Sequence, residues 1–216
     1  LKGVLVNSQS LIPLIGLGTY PLVGGEATAA VQMAIELGCR HIDTAQMYGN
    51  ERSVGAGISA SGMPRSDVFL VTKVDPGNLS AGRFEASVKR SIDDLGGPPD
   101  LLLVHWPPHA SEVDAVIDRL IAAKEHGQSK FIGISNHPVA MMRQAQIRAA
   151  GQLVCNQVEF HPLLGQGKVY AAAQELGMQL TAYSPLARGA AMRNAVIQGI
   201  AERHGRPASE IVLRWI

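Results

Sequence analysis

Short apolar segments alternate with longer amphipathic segments along almost the whole sequence. The apolar segments predict seven β-strands, at residues 15–19, 41–43, 68–73, 100–105, 131–135, 153–157 and 179–183. Between them Ala, Glu, Arg and Leu recur at helical spacing. This spacing predicts helices at 27–37, 51–61, 81–95, 112–126, 139–149, 167–176 and 194–204, the last restarting after Pro207.

Strands that are apolar on both faces and separated by helices predict a parallel sheet covered on both sides. An open doubly wound sheet and a closed (β/α)8 TIM barrel both fit this pattern. Seven regular units favour the barrel, which would lack only its eighth strand and helix. Two apolar runs around a polar turn at 3–13 predict an N-terminal β-hairpin. We therefore predict an α/β protein with one barrel domain over residues 1–216, incomplete at its C-terminal end.

Composition excludes several classes of protein. The chain of 216 residues is 46% hydrophobic, and its 19 basic and 18 acidic residues leave a net charge of +1. Without a dense basic run, neither nucleic acid nor an acidic membrane surface is expected as a partner. No apolar run reaches the roughly 18 residues that span a bilayer, so we expect a soluble, cytoplasmic protein. Cys39 and Cys155 lie singly in apolar segments, as buried small hydrophobic residues do.

Four polar side chains fall where the predicted strands end. The second strand ends at Asp43 with Tyr48 beyond it, the third at Lys73 and the fourth at His105. In a parallel barrel these ends share one rim, where such folds place active sites. Taken alone, these residues have structural explanations. Lys73 could be a solvated side chain at a strand edge, His105 a hydrogen-bonded core histidine and Tyr48 a helix cap. Together they suggest chemistry, because a lysine between an acid and a phenol satisfies the acid and stabilises the phenolate.

A phenol in that setting can protonate a carbonyl oxygen, and an imidazole can donate to the same oxygen. The reaction suggested is carbonyl reduction, which needs a hydride donor such as a nicotinamide cofactor because no side chain supplies hydride. The Gly16-Leu17-Gly18 run does not mark its site, since Pro21 replaces the third glycine of the dinucleotide fingerprint.

Later rim residues are better candidates for holding the cofactor. Ser135, Asn136 and Gln157 could bond a carboxamide, and Tyr183 offers a flat ring for stacking. The turn from Ser184 to Gly189 offers backbone donors, and a cation at Arg188, for a pyrophosphate. Asn136 and Gln157 could equally be turn or cap residues.

Seven sequence runs together resemble the aldo-keto reductase family, specifically its bacterial aldehyde and ketone reductases. They are GLGTY at 16–20, HIDTAxxYGNE at 41–51, VTK at 71–73, LLLVHWP at 101–107, IGISN at 132–136, NQVEFHP at 156–162 and AYSPLARG at 182–189. They occur in order over nearly the whole chain.

The resemblance implies a β/α barrel that binds an extended nicotinamide dinucleotide without a Rossmann domain and reduces aldehydes and ketones. It makes Tyr48 the proton donor, Asp43 and Lys73 the pair that tunes it, and His105 the residue that orients the carbonyl. The cofactor would contact Gly18, Thr19, Asp43, Ser135, Asn136, Gln157, Tyr183, Ser184, Leu186 and Arg188. NADPH is the family's cofactor, but NADH stays open, because the family's adenosine phosphate pocket follows the eighth strand. A monomer acting on a small carbonyl compound is expected.

The substrate would meet an apolar and aromatic wall of Tyr20, Met47 and Trp106, which favours apolar or aromatic carbonyl compounds. No metal site is expected, since Pro107 and Pro108 break the helix that a zinc pair at His105 and His109 would need.

An alternative function is an interaction module that senses the nicotinamide redox state with little turnover. A phosphate-binding barrel without redox chemistry has only generic loop donors in its favour.

Overall fold

The computed structural model of the protein describes residues 11–216, so most of the hairpin predicted at 3–13 lies outside the described residues. Seven strands form one sheet: Leu17–Gly18 (β1), His41–Asp43 (β2), Phe69–Val74 (β3), Leu101–Val104 (β4), Phe131–Ser135 (β5), Leu153–Glu159 (β6) and Gln179–Tyr183 (β7). Each strand pairs in parallel with the next one in the chain. A doubly wound sheet would reverse its strand order at a switch point. The sequential order confirms the barrel, nearly closed by these seven strands.

Eight α-helices surround or follow the strands in this part of the chain. They are Gly24–Glu36 (α1), Glu51–Ala60 (α2), Arg83–Leu95 (α3), Val113–Glu125 (α4), Val139–Arg148 (α5), Gly167–Glu175 (α6), Ala195–His204 (α7) and Ala208–Trp215 (α8). Most begin or end within two residues of the predicted bounds. The larger differences are α1, which starts three residues earlier, and β1, which keeps two of five predicted residues. β1 is short because it pairs with only two residues of β2, while Ile15 ahead of it is exposed.

Alternation along the strands separates two layers of core. In β3, Phe69 and Val71 point into the barrel, where they pack with Leu101, Leu103 and Cys155. Leu70 points outward and packs against α1 and α2 through Val31 and Val54. Leu102, Val104, Ile132 and Ile134 face the outer helices in the same way.

The inward positions of β3 and β4 continue toward the C-terminal ends of the strands. Because successive inward residues are two apart, Val71 is followed by Lys73 and Leu103 by His105, and in β6 Cys155 is followed by Gln157. The fold therefore changes from apolar to polar filling at one end of the barrel, which we call the rim. Among the described residues, no helix has the length and apolar character required to cross a bilayer.

Candidate active site

Lys73 stands at the centre of the rim. Its side chain is 1% exposed, and its Nζ donates to Asp43 Oδ1 at 2.5 Å, to the carbonyl of Thr44 at 2.9 Å and to the Tyr48 hydroxyl at 3.2 Å. These contacts use all three ammonium donors. Burial opposes the charge, but the attraction of Asp43 and Tyr48 outweighs it and holds the pKa of Lys73 above its ordinary value. The lysine is therefore a fixed cation touching both the acid and the phenol.

Asp43 is satisfied at both of its carboxylate oxygens. Oδ1 accepts from Lys73, and Oδ2 accepts from the Gln157 side-chain amide at 2.7 Å. Its main-chain carbonyl accepts from both the hydroxyl and the backbone N–H of Thr19 at 3.0 Å. Cation and donors together explain how an ionised acid is tolerated at the end of an apolar strand.

Tyr48 reaches the rim from a 3₁₀ turn, Gln46–Tyr48, that follows β2. Its ring centroid lies 4.9 Å from Lys73 Nζ, 5.3 Å from the ring of Tyr20 and 5.6 Å from that of His105. The four side chains that the sequence places at or just beyond the ends of three strands are thus brought into one cluster.

His105 is a neutral imidazole at physiological pH. Burial first, and then the charge of Lys73, lower its pKa to about 4, although Asp43 and Asp75 oppose that shift. Its Nδ1 is buried and has no hydrogen-bond partner among the described residues. An unpaired buried nitrogen is less costly as a bare acceptor than as a donor. Nε2 is therefore the ring nitrogen available to donate a hydrogen bond.

The candidate carboxamide-binding residues form one chain of hydrogen bonds. The Tyr183 hydroxyl donates to Asn136 Oδ1 at 3.0 Å, and Asn136 Nδ2 donates to the His105 carbonyl at 3.0 Å and to Ser135 Oγ at 3.1 Å. Ser135 Oγ in turn donates to the carbonyl of Gln157 at 2.8 Å. Through Gln157 the chain ends at Asp43. These side chains are therefore pre-positioned beside the Asp43, Tyr48, Lys73 and His105 cluster.

The loop that bears Asn136 is held by two residues that the sequence reasoning missed. Asn136 has a φ of 60°. His137 donates through its backbone N–H to Asn156 Oδ1, and Asn156 Nδ2 donates to the carbonyl of His137 at 3.0 Å. Through these two hydrogen bonds, the buried side-chain amide of Asn156 pairs with the backbone of His137 as another peptide group would. Asn156 precedes Gln157 on β6 and points away from it, which is the signal that could have identified it.

The turn after β7 has an unusual backbone. Ser184, Ala187 and Arg188 have φ values of 49°, 50° and 50°, a region that costs non-glycine residues of order 1 kcal/mol each. The backbone N–H groups of Ser184 and Leu186 have no acceptor within the described structure. Free donors beside the guanidinium of Arg188 suit a pyrophosphate.

The proposed substrate wall and the end of the first strand differ in their exposure to solvent. Tyr20, Met47 and Trp106 are 69%, 51% and 45% exposed, and the ring of Tyr20 lies against Tyr48 while that of Trp106 lies against His105. Thr19, by contrast, is fully buried with its hydroxyl on Asp43. A ligand lying against Gly18 and Thr19 would therefore meet backbone.

A second polar cluster lies outside the barrel, behind β3. Glu51 accepts from Thr72 Oγ1 at 2.5 Å and from Ser91 Oγ at 3.1 Å, and Ser91 accepts from Gln46 Nε2 at 3.1 Å. Burial raises the pKa of Glu51 against the opposing effect of those hydroxyls. Thr72 points outward because Lys73 points inward, so alternation could have signalled this cluster. It links the strand that carries Lys73 to the turn that carries Tyr48.

Asn50 links two loops at the rim by hydrogen bonds. Its Oδ1 accepts from Thr44 Oγ1 at 2.6 Å, and its Nδ2 donates to the carbonyls of Thr19 and Leu22. The turn before Tyr48 is thereby tied to the end of β1.

Comparison with known proteins relates the chain to one family. A model of the aldo/keto reductase family matches residues 14–216. The methylglyoxal reductase DkgB of Escherichia coli O157:H7 is 39% identical over 209 residues, covering 94% of this chain and 78% of that protein. An aldo-keto reductase of Mycobacterium marinum is 36% identical over 214 residues, covering 98% of this chain and 76% of that protein. The crystal structure of an aldo/keto reductase from Brucella melitensis matches with a TM-score of 0.91 at 34% identity, covering 97% of this chain and 80% of that one. The matched residues include every strand and loop that forms the cluster.

Proposed function

The chain belongs to the aldo/keto reductase family, and from that premise we propose that it reduces small aldehydes and ketones to alcohols, with NADPH as reductant and Tyr48 as proton donor. One observation carries the proposal. A single buried ammonium, that of Lys73, contacts both the Tyr48 hydroxyl and the Asp43 carboxylate.

The described residues fit a nicotinamide dinucleotide. When bound, that cofactor supplies the hydride that no side chain can supply. Gln157 and Asn136 would hold the carboxamide, with Ser135 supporting both, and Tyr183 would offer its ring face. The unpaired N–H groups of Ser184 and Leu186, with Arg188, would hold the pyrophosphate. The chain of hydrogen bonds from Tyr183 to Asp43 supports this assignment because it pre-positions the amides.

The side chains divide the proton chemistry among them. A carbonyl oxygen placed between Tyr48 and His105 would receive a hydrogen bond from the phenol and another from the neutral imidazole. As negative charge develops on that oxygen, the phenol transfers its proton, and the fixed charge of Lys73 stabilises the phenolate that remains. Asp43 keeps Lys73 oriented and charged. The exposed apolar surface of Tyr20, Met47 and Trp106 would exclude water from one side.

The test is steady-state oxidation of NADPH, with NADH in parallel, by the wild-type protein and its Tyr48→Phe variant. The carbonyl panel includes methylglyoxal, on which the E. coli relative is named to act. We expect wild-type turnover and a loss of at least about a hundredfold in kcat for the variant, the scale of general acid catalysis. Tyr170→Phe is the matched control, since it removes a phenol whose one hydrogen bond among residues 11–216 is with Gln174 on the surface of α6.

Two results would contradict the proposal. Equal turnover by wild-type protein and Tyr48→Phe would mean that another group supplies the proton. Cofactor binding with negligible turnover in both would instead favour the redox-sensing module, and stable capture of a partner would then be the next measurement.

A further inference from the structure

Asp75 lies beside His105 at the rim of the barrel. It directly follows β3, and the backbone N–H of His105 donates to the carbonyl of Val74 at 3.2 Å. In a parallel pair this bond places Asp75 opposite His105, one step beyond the pairing of Val74 with Val104. The two backbones are therefore about 4.8 Å apart at this point. Phe69, Val71 and Lys73 point inward, so alternation places Asp75 on the same side.

The charge of Asp75 is not neutralised in the described part of the chain. Its Oδ1 accepts from the backbone N–H of Gly77 at 2.7 Å, and none of the ion pairs among residues 11–216 includes it. Arg83, which reaches the same turn, donates to the Gly77 carbonyl at 3.5 Å instead. Asp43 differs, because Lys73 balances it at 2.5 Å.

Asp75 is a carboxylate near His105 that no ion pair among residues 11–216 balances, whereas Asp43 and Lys73 balance each other. The wall of Tyr20, Met47 and Trp106 is uncharged, and His105 is neutral. His105 already responds to this carboxylate, which adds to the larger effect of Asp43 in raising the pKa of the imidazole, against the stronger effects of burial and Lys73. Arg188 lies on the other side of the rim, in the turn after β7.

We propose that Asp75 is a specificity-determining residue that directs this site toward uncharged or cationic carbonyl compounds and against those with a carboxylate near the carbonyl. The inference rests on the proposed reductase function and adds the substrate class to it. Two like charges about 8 Å apart near a protein surface, screened by salt over a Debye length of about 8 Å, repel enough to lower kcat/KM about three- to tenfold.

A matched pair of substrates isolates the effect of charge. Methyl 4-formylbenzoate and 4-carboxybenzaldehyde share one ring and one aldehyde, and only the second is an anion. The quantity measured is the ratio of kcat/KM for the ester to that for the acid. In Asp75→Asn an amide oxygen can still accept from Gly77, as asparagine caps such turns as well as aspartate does, so the loop is retained. We expect the ratio to fall about three- to tenfold in the variant, and the wild-type ratio to shrink with added salt.

Glu159→Gln is the control, because Glu159 is a half-exposed rim carboxylate at the end of β6, away from His105. We expect it to leave the ratio unchanged. An unchanged ratio in Asp75→Asn, or an equal fall in both variants, would overturn the proposal. Failure of the wild-type protein to reduce these aldehydes or any other carbonyl compound of the panel would remove the reductase function and this inference with it, a result distinct from turnover with an insensitive ratio.

Discussion

The side-chain amide of Gln157 donates to Asp43 Oδ2 over 2.7 Å, although 114 residues separate the two in the chain. Because Lys73 occupies the other oxygen of Asp43, a single carboxylate joins the lysine and phenol to the amides proposed to hold the cofactor. A substitution among the amides should therefore affect the lysine and phenol, and a substitution of the lysine should affect the amides.

Gln157→Leu tests this coupling. The substitution leaves Asp43 Oδ2 without its donor in a largely buried site, which should cost about 1.5–3 kcal/mol of unfolding free energy. We also expect weaker NADPH binding, because the same amide is proposed to hold the carboxamide. Urea denaturation and cofactor titration measure the two effects. Gln144→Leu is the control, since it removes an amide that donates to Asp114 on the exposed surface. A comparable loss of stability in both variants would contradict the special role of the buried contact.

Lys73→Met should be among the most destabilising single substitutions at the rim. Removing one partner of a buried ion pair leaves Asp43 uncompensated, at a cost of about 3–5 kcal/mol. The double variant Lys73→Met/Asp43→Asn should recover part of that free energy, because no charge remains buried, but it should recover no turnover. Chemical denaturation of the two variants gives the comparison.

The exposed pair of Arg52 and Asp94, at 3.2 Å, is the control for Lys73→Met. Arg52→Met should change the unfolding free energy by less than about 1 kcal/mol, as surface pairs do. A similarly small effect of Lys73→Met would mean that Asp43 is not held as a buried ion.

Acid should destabilise the protein through its buried histidines, among them His105 and His137. Burial lowers the pKa of His105 to about 4, with Lys73 adding to the effect, and burial also lowers that of His137 to about 4. Below the ordinary histidine pKa of about 6.5, both residues bind protons in the unfolded chain but not in the folded protein. Stability is therefore complete above about pH 6.5 and falls as pH drops toward 4, by up to about 1.4 kcal/mol per pH unit for each histidine.

His137→Asn should remove the part of this pH dependence of the unfolding free energy that His137 contributes. An asparagine amide can still donate to the carbonyl of Ser135, as the ring Nδ1 does at 2.8 Å. Urea denaturation across the acid range measures the slope, and the same substitution at the exposed His204 is the control. A slope that matches the wild type would show that the folded protein accepts a proton at His137.

The positions of the predicted strand ends were sufficient to predict which side chains reach the rim. Asp43, Lys73 and His105 end apolar runs, and local sequence contains that information. It does not contain which rim partners meet across the barrel, such as Gln157 and Asp43, because that depends on strand register and closure. The short extent of β1 was also missed, since the apolar run at 15–19 was expected to pair in full. The turn from Ser184 to Gly189 was predicted, but its left-handed backbone at Ser184, Ala187 and Arg188 was not, because none of those three residues is glycine.

Asn136→Gly and Asn136→Ala separate the backbone of Asn136 from its side chain. Glycine accepts a φ of 60° without strain, whereas alanine pays about 1 kcal/mol there. Both variants lose the bonds to His105, Ser135 and Tyr183. We expect both to bind NADPH about tenfold more weakly, the effect of one lost hydrogen bond to a ligand, and only the alanine variant to lose the additional stability. Fluorescence titration and thermal unfolding provide the measurements. Wild-type affinity in the glycine variant would exclude this side chain from the cofactor site.

Glu51, the buried acid behind β3, accepts hydrogen bonds from two hydroxyls, those of Thr72 and Ser91. Glu51→Ala removes the only acceptor that the described structure provides for the Thr72 hydroxyl, and it deprives Ser91 of its acceptor as well. Two unpaired hydroxyls and a cavity should cost about 2–4 kcal/mol of unfolding free energy. Turnover should fall too, because Ser91 holds Gln46 in the turn that carries Tyr48.

Glu51→Gln should cost much less, and its cost should depend on pH in a defined direction. Burial raises the pKa of Glu51 above its ordinary value, so the folded protein retains a proton that the unfolded chain releases as pH rises through about 4.5. Wild-type stability is therefore lowered by this acid at neutral pH, whereas glutamine carries no such penalty. Relative to the wild type, Glu51→Gln should be more stable at about pH 7 than at about pH 4. Denaturation at both pH values measures this, with Glu36→Gln on the exposed face of α1 as control. The reverse order would mean that Thr72 and Ser91 stabilise the carboxylate more than burial opposes it.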